Sequence, residues 1–148
     1  MPGRFVTTGS MALIAADTVL SVIASTTVRP RIYDILLSSS SAPNDYSADF
    51  QLQRFSADGT GTAVTPQPLD FNDRAAVATS KHTYTAEPTL TANEVLLRVS
   101  HNQRATCRWV AAPGSEFVIP ALAGDGLALL CNAVSTQFTE VATIMFEE

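Results

Sequence analysis

The side chains best suited to acid–base work or metal ligation are the two histidines, His82 and His101, and their placement argues against both uses. A cupin-like metal site needs two His and a Glu closely spaced on one strand and a third His further on, but this chain has neither an H-x-H nor an H-x-x-x-H pair. Nucleophilic catalysis has no better footing, because no G-x-S-x-G elbow presents any of the many serines. Cys107 has no His at a motif spacing and shares a strand face with Trp109, which favours packing over nucleophilic use. The carboxylate pairs Asp45 with Asp49 and Asp70 with Asp73 could serve a glycosidase, yet no aromatic platform for a sugar surrounds them, and solvated loop acids are commoner. Nothing has the spacing that nucleophilic, metal or phosphate chemistry requires. The expectation is a protein that is not an enzyme, with no catalytic residues, no metal and no cofactor.

Side chains suited to contact are easier to find. Trp109 with Arg108 combines two types enriched at interface hot spots, although a strand Trp more often points into a core. Lys81 is the sole lysine beside eight arginines, a bias that suits contact surfaces and that a GC-rich genome would also produce. A net charge of −5 with no run of arginines argues against nucleic acid as a partner, since phosphate binding draws on clustered cations.

The elements that must position these residues are strands. Residues 29–55, RPRIYDILLSSSSAPNDYSADFQLQRF, read as strand, turn cluster, strand, with Tyr33, Ile35 and Leu37 on one face and Phe50 and Leu52 alternating with polar neighbours. The pattern predicts a hairpin of one central and one half-exposed strand. Before it, residues 11–15 and 18–24 read as two short strands about an Ala16-Asp17 turn; a helix over 11–25 is disfavoured by the Thr, Ser and Val content. Residues 1–10, MPGRFVTTGS, hold one apolar pair among Gly, Thr and Ser and read as an extended N-terminal arm or edge strand.

After the hairpin, Asp58-Gly59 predicts a tight turn with positive φ. Pro66, Pro68 and Pro88 then mark a long crossing connection, with a helical turn at 73–78. Five further strands are predicted at 94–100, 106–111, 116–120, 126–134 and 139–146, separated by Gly, Pro and Asn turns. The length of 148 residues fits one domain, and 46% hydrophobic against 16% charged residues describes a folded chain. The resulting expectation is an all-β, antiparallel, jelly-roll-like sandwich over 11–148 with residues 1–10 as its arm.

Two cysteines are too few for a disulfide framework and are expected as buried thiols. Asp17 interrupts the apolar stretch near the N-terminus, so a secretory leader is not expected. No run reaches the roughly 20 apolar residues of a membrane helix. A soluble protein made in the cytoplasm, without a membrane partner, is the expectation.

One resemblance adds to this reading. Residues 67–89, QPLDFNDRAAVATSKHTYTAEPT, resemble a segment of small tailed-phage head proteins, in which a Gly-Thr turn leads to Pro-x-x-Leu-Asp, an Ala-rich stretch and Thr-Ala-Glu-Pro-Thr. The matching stretches are 52–55, 59–62, 66–70, 74–79 and 85–89, and the ending Phe146-Glu147-Glu148 is similar too. The resemblance, over 29–148, is to capsid decoration (cement) proteins. It implies a jelly-roll-like homotrimer on the outer surface of a bacteriophage capsid, made in the host cytoplasm and bound to the major capsid protein. Arg4 and Phe5 of the arm, and Phe71 and Arg74 of the connection, are the candidate capsid or subunit contacts. The competing expectation is a phage tail or receptor- or carbohydrate-binding sandwich module.

Overall fold

The computed structural model describes residues 2–13, 15–132 and 134–148. These contain twelve strands and no helix: β1 (Arg4–Leu13), β2 (Asp17–Ile23), β3 (Arg31–Ser41), β4 (Ser47–Ala57), β5 (Thr60–Val64), β6 (Gln67–Pro68), β7 (Thr79–Ala86), β8 (Thr89–Asn102), β9 (Cys107–Val110), β10 (Phe117–Val118), β11 (Gly126–Cys131) and β12 (Phe138–Glu147). They form two antiparallel sheets. The first runs β10-β3-β12-β1-β6, with β9 beside β10 on the same edge of β3; the second runs β5-β7-β2-β11-β4-β8.

The pairing is that of one long hairpin rolled up on itself. β1 pairs with β12, β2 with β11, β3 with β9 and β10, β4 with β8, and β5 with β7. Folding such a hairpin into two facing layers gives the jelly roll, so the protein is an all-β antiparallel sandwich of that kind. Alternation drives it: along β12, Phe138, Ala142, Ile144 and Phe146 point inward while Thr139, Val141, Thr143 and Met145 point out. Phe5, Phe50, Phe138 and Phe146 are fully buried at the centre, each worth about 1.5–3 kcal/mol of apolar transfer.

β2 and β11 depart from alternation, being buried on nearly every residue. Leu20 and Val22 belong to the main core, whereas Ile23 forms a separate buried cluster with Phe55 and Ala128 against Leu90. That second cover comes from the ribbon in which β4 runs on into β5 and β7 into β8, paired at Ala57 with Thr89 and at Thr60 with Ala86. Tyr84 on this ribbon donates to Asp58 at 3.0 Å and takes the Ser21 hydroxyl at 2.6 Å, while Glu87 accepts the Thr18 amide at 3.0 Å.

Several expectations need correction. The strands of 29–55 exist, but they do not pair as a hairpin: β3 and β4 lie in opposite sheets, so each apolar face is buried against the other layer. Residues 4–10 do not form a free arm. β1 is paired along its whole length with β12 and flanked by β6, and Gly9 marks a close approach, since a Cβ there would lie 2.5 Å from the Cβ of His82. The division at residue 10 therefore falls inside a strand. No helical turn forms at 73–78; a turn at 70–73 is closed by Asp73 N–H to Asp70 O at 3.0 Å, with the Asp70 carboxylate accepting Asn72 N–H at 2.9 Å. Gly59 does not have positive φ; it is needed because a Cβ would sit 2.1 Å from the carbonyl oxygen of Ala86. The five later strands match β8 to β12 in place. Of the strands expected at 11–15 and 126–134, Ile14 and Ala133 lie outside the described residues.

Candidate contact surface

The tip of the rolled hairpin returns to the ends of the chain. β6 adds two residues to β1, and the amide of Leu69 donates to Arg4 O at 2.8 Å. The 70–73 turn then lifts Phe71 clear of the fold: its side chain is as exposed as in an extended chain, at 101%, beside a half-exposed Leu69. Past the turn the backbone runs without regular structure to β7.

What holds this segment is Glu148. Its side chain is fully shielded, and one oxygen accepts Arg74 Nη1 at 2.7 Å and the Val77 amide at 2.7 Å while the other accepts the Ala78 amide at 2.8 Å. The backbone of Glu148 is fixed in turn by two 3.1 Å hydrogen bonds exchanged with Gly3. The loop is thus bolted to the paired ends of β1 and β12. The Arg74 guanidinium also lies 5.7 Å from the Phe5 ring centroid, a cation–π contact on a ring that stacks on Phe146 at 5.6 Å.

Around Phe71 the surface carries both signs. An open depression of about 330 Å³ is bounded by Arg4, Leu69, Asp70 and Asp73. A second, of about 450 Å³, is bounded by Arg29, Arg31, Arg74 and Glu148. Arg31 has Glu147 at 3.9 Å.

Of the four contact residues named from sequence, the structure gathers Arg4, Phe71 and Arg74 at one end of the sandwich. Phe5 is corrected to a core residue: it is fully buried beneath Arg74, because β1 is a paired strand and Phe5 faces inward. The other residues weighed from sequence are engaged elsewhere. His82 Nδ1 meets Thr83 Oγ1 at 2.8 Å, and His101 lies in a different part of the fold, 3.7 Å from Glu140. Asp45 accepts Asn102 at 2.6 Å. Asp49 binds Arg98, Ser100 and Asn132, and the Arg98 guanidinium holds its carboxyl below the usual carboxylate range. Asp34 accepts both arms of Arg108, and Trp109 stacks on Phe117 at 4.6 Å in a half-buried position. The cysteines are unbridged, and burial pushes the Cys131 thiol well up, away from nucleophilic use. Among the described residues no group of three or more His, Cys, Asp or Glu could hold a metal ion.

Sequence reasoning passed over two residues. Glu148 was visible only as a chain-end acid, since its partners lie about seventy positions away. Glu140 had a signal: period-two counting along β12 puts it on the inward face between Phe138 and Ala142.

Fold and surface together define an antiparallel jelly-roll sandwich with an aromatic-tipped loop hydrogen-bonded to Glu148. Compared with protein-family models, with curated proteins and with solved structures, the chain matches none.

Proposed function

We propose that this chain is a virion structural protein that decorates the outer surface of a bacteriophage capsid and stabilises it by bridging major capsid protein subunits, as a homotrimer. The observation that carries the docking part of this reading is Phe71, fully exposed on a loop that the buried Glu148 carboxylate holds in place. A solvated aromatic ring on a fixed backbone is the form a binding anchor takes, since little conformational entropy is lost when it enters a pocket. Arg4 and Arg74 supply a polar rim for that anchor. The capsid as partner rests on the resemblance of residues 29–148. The net charge of −5 adds the outer surface, because an acidic protein is repelled by packaged DNA. Trimerisation multiplies weak contacts through effective concentration, so many copies can brace a lattice without any single tight site.

The test is Phe71→Ala binding to capsids stripped of this protein. Burial of a Phe ring is worth about 1.5–3 kcal/mol, so the variant should bind roughly 10- to 100-fold more weakly with its folding unchanged. Undiminished binding would remove the loop from the interface. Specific glycan-array signal, with no capsid binding by the wild-type protein, would favour the tail or receptor-binding module instead.

A further inference from the structure

The sandwich interior holds a polar pair that the docking surface does not use. Glu140 projects from β12 into the core with no solvent exposure, and neither carboxyl oxygen has a hydrogen-bond partner. Facing it from the opposite sheet is His101 of β8, nearly as well shielded, with an equally unpartnered Nε2 at 3.7 Å from Glu140 Oε1. The imidazole is fixed by stacking on Phe50 at 5.5 Å and by its Nδ1 at 2.9 Å from the carbonyl oxygen of Asn102. A carbonyl can only accept, so Nδ1 carries a hydrogen and the neutral ring turns a lone pair toward Glu140. Two arrangements satisfy that geometry: a protonated carboxyl against neutral imidazole, or a carboxylate against imidazolium. Both hold one proton. With none, a bare carboxylate is left in an apolar interior, the costliest state available to the pair.

The pair sits two residues from the staple that closes this end of the sandwich. Gln103, fully buried, donates its amide to Tyr46 O at 2.9 Å and accepts the Asn44 amide at 3.0 Å. It also donates to Thr136 O at 3.3 Å, and its own carbonyl takes the Ser39 hydroxyl at 2.6 Å. The β3–β4 crossing and the approach to β12 are therefore tied to the end of β8. We propose that Glu140 and His101 form a one-proton latch between the two sheets, and that loss of the proton releases the end of the sandwich closed by Gln103.

Other charges near the pair do not supply the missing partner. Beside Glu140, β1 and β3 present Met11 and Ser39. From β11, Cys131 carries a thiol that senses Glu140, Asp49 and Asp17, all acids. Asp49 on β4 is itself taken by Arg98. Desolvation alone pushes the Glu140 carboxyl from its ordinary 4.5 up to about 8. A folded value above the unfolded one means that the stabilisation is complete below about pH 4.5 and is lost as pH rises through about 8. The latch is closed in acid and at neutrality and opens in alkali. Asp49 acts with the opposite sign and in another window, since its lowered value removes stability only as pH falls into the acid range.

Backbone hydrogen exchange, corrected for intrinsic rates, reads the latch directly. Between pH 7 and pH 9, protection at residues 99–103 and 138–142 should fall at least about tenfold in the wild-type chain. Protection at residues 144–146, beside Phe5, should hold. Glu140→Gln, which offers a permanent amide donor to Nε2, should flatten the pH dependence. Protection that does not change with pH in the wild type, or that changes equally in Glu140→Gln, overturns the proposal. If the variant fails to fold, the carboxyl carbon resonance of Glu140 in the wild-type protein decides: a chemical-shift step near pH 8 supports the latch whichever member of the pair gives up the proton, and no step between pH 7 and pH 9 overturns it.

Discussion

Replacing Glu148 with alanine separates the fixing of the loop from the anchor it presents. The carboxylate makes three hydrogen bonds of unequal weight. Its pair with Arg74, whose side chain is 48% exposed, contributes little because water competes for the guanidinium. The Val77 amide belongs to an exposed residue and can turn to solvent. The Ala78 amide belongs to a residue that is 1% exposed, so its charge-assisted hydrogen bond, about 1.5–3 kcal/mol, is lost without replacement. The expected cost is therefore about 2–3 kcal/mol, read as a lower urea midpoint with an unchanged slope. Limited proteolysis should show faster cleavage within 69–78, and capsid binding should fall. Phe71→Ala should lower capsid binding as well, yet leave the urea midpoint within about 0.5 kcal/mol of wild type. A Glu148→Ala protein of wild-type stability with an equally resistant loop would refute the argument that this carboxylate holds the loop.

Two further substitutions test the fold. Phe5→Ala should cost about 3–5 kcal/mol in chemical denaturation, the loss expected of a buried ring and not of an exposed arm residue. Gly59→Ala should cost about 1–3 kcal/mol because its Cβ would run into the Ala86 carbonyl at 2.1 Å and the ribbon must part. Gly114→Ala is the control: φ is +82° with nothing within 4 Å of the added carbon, so only backbone strain of about 1 kcal/mol remains.

Most strand positions were legible because period-two alternation is local, although β7 (Thr79–Ala86) lies in the stretch expected to be a crossing connection, its polar sequence giving little apolar alternation; partners were not legible, because a rolled hairpin pairs its two ends. β1 illustrates the limit. Its partner is β12, and among the small residues that made residues 1–10 resemble an arm, Gly9 lets β1 approach His82 of β7 closely while Thr7 hydrogen-bonds Ser80 of the same strand. β3 and β4 show the same limit at short range, since a five-residue connection serves a hairpin or a crossing between sheets equally well. In the long connection, prolines and turn residues marked the segment, and Phe71 and Arg74 were named from it. The hydrogen bonds that tie the loop down come from Glu148, whose partners no local pattern connects to it.

Cryo-electron microscopy of phage particles incubated with this chain is the sharpest test of the proposed role. Trimeric density is expected on the outer face of the capsid, with the 69–78 loop and Phe71 seated against major capsid subunits. Density for this chain at the tail or inside the shell would contradict it.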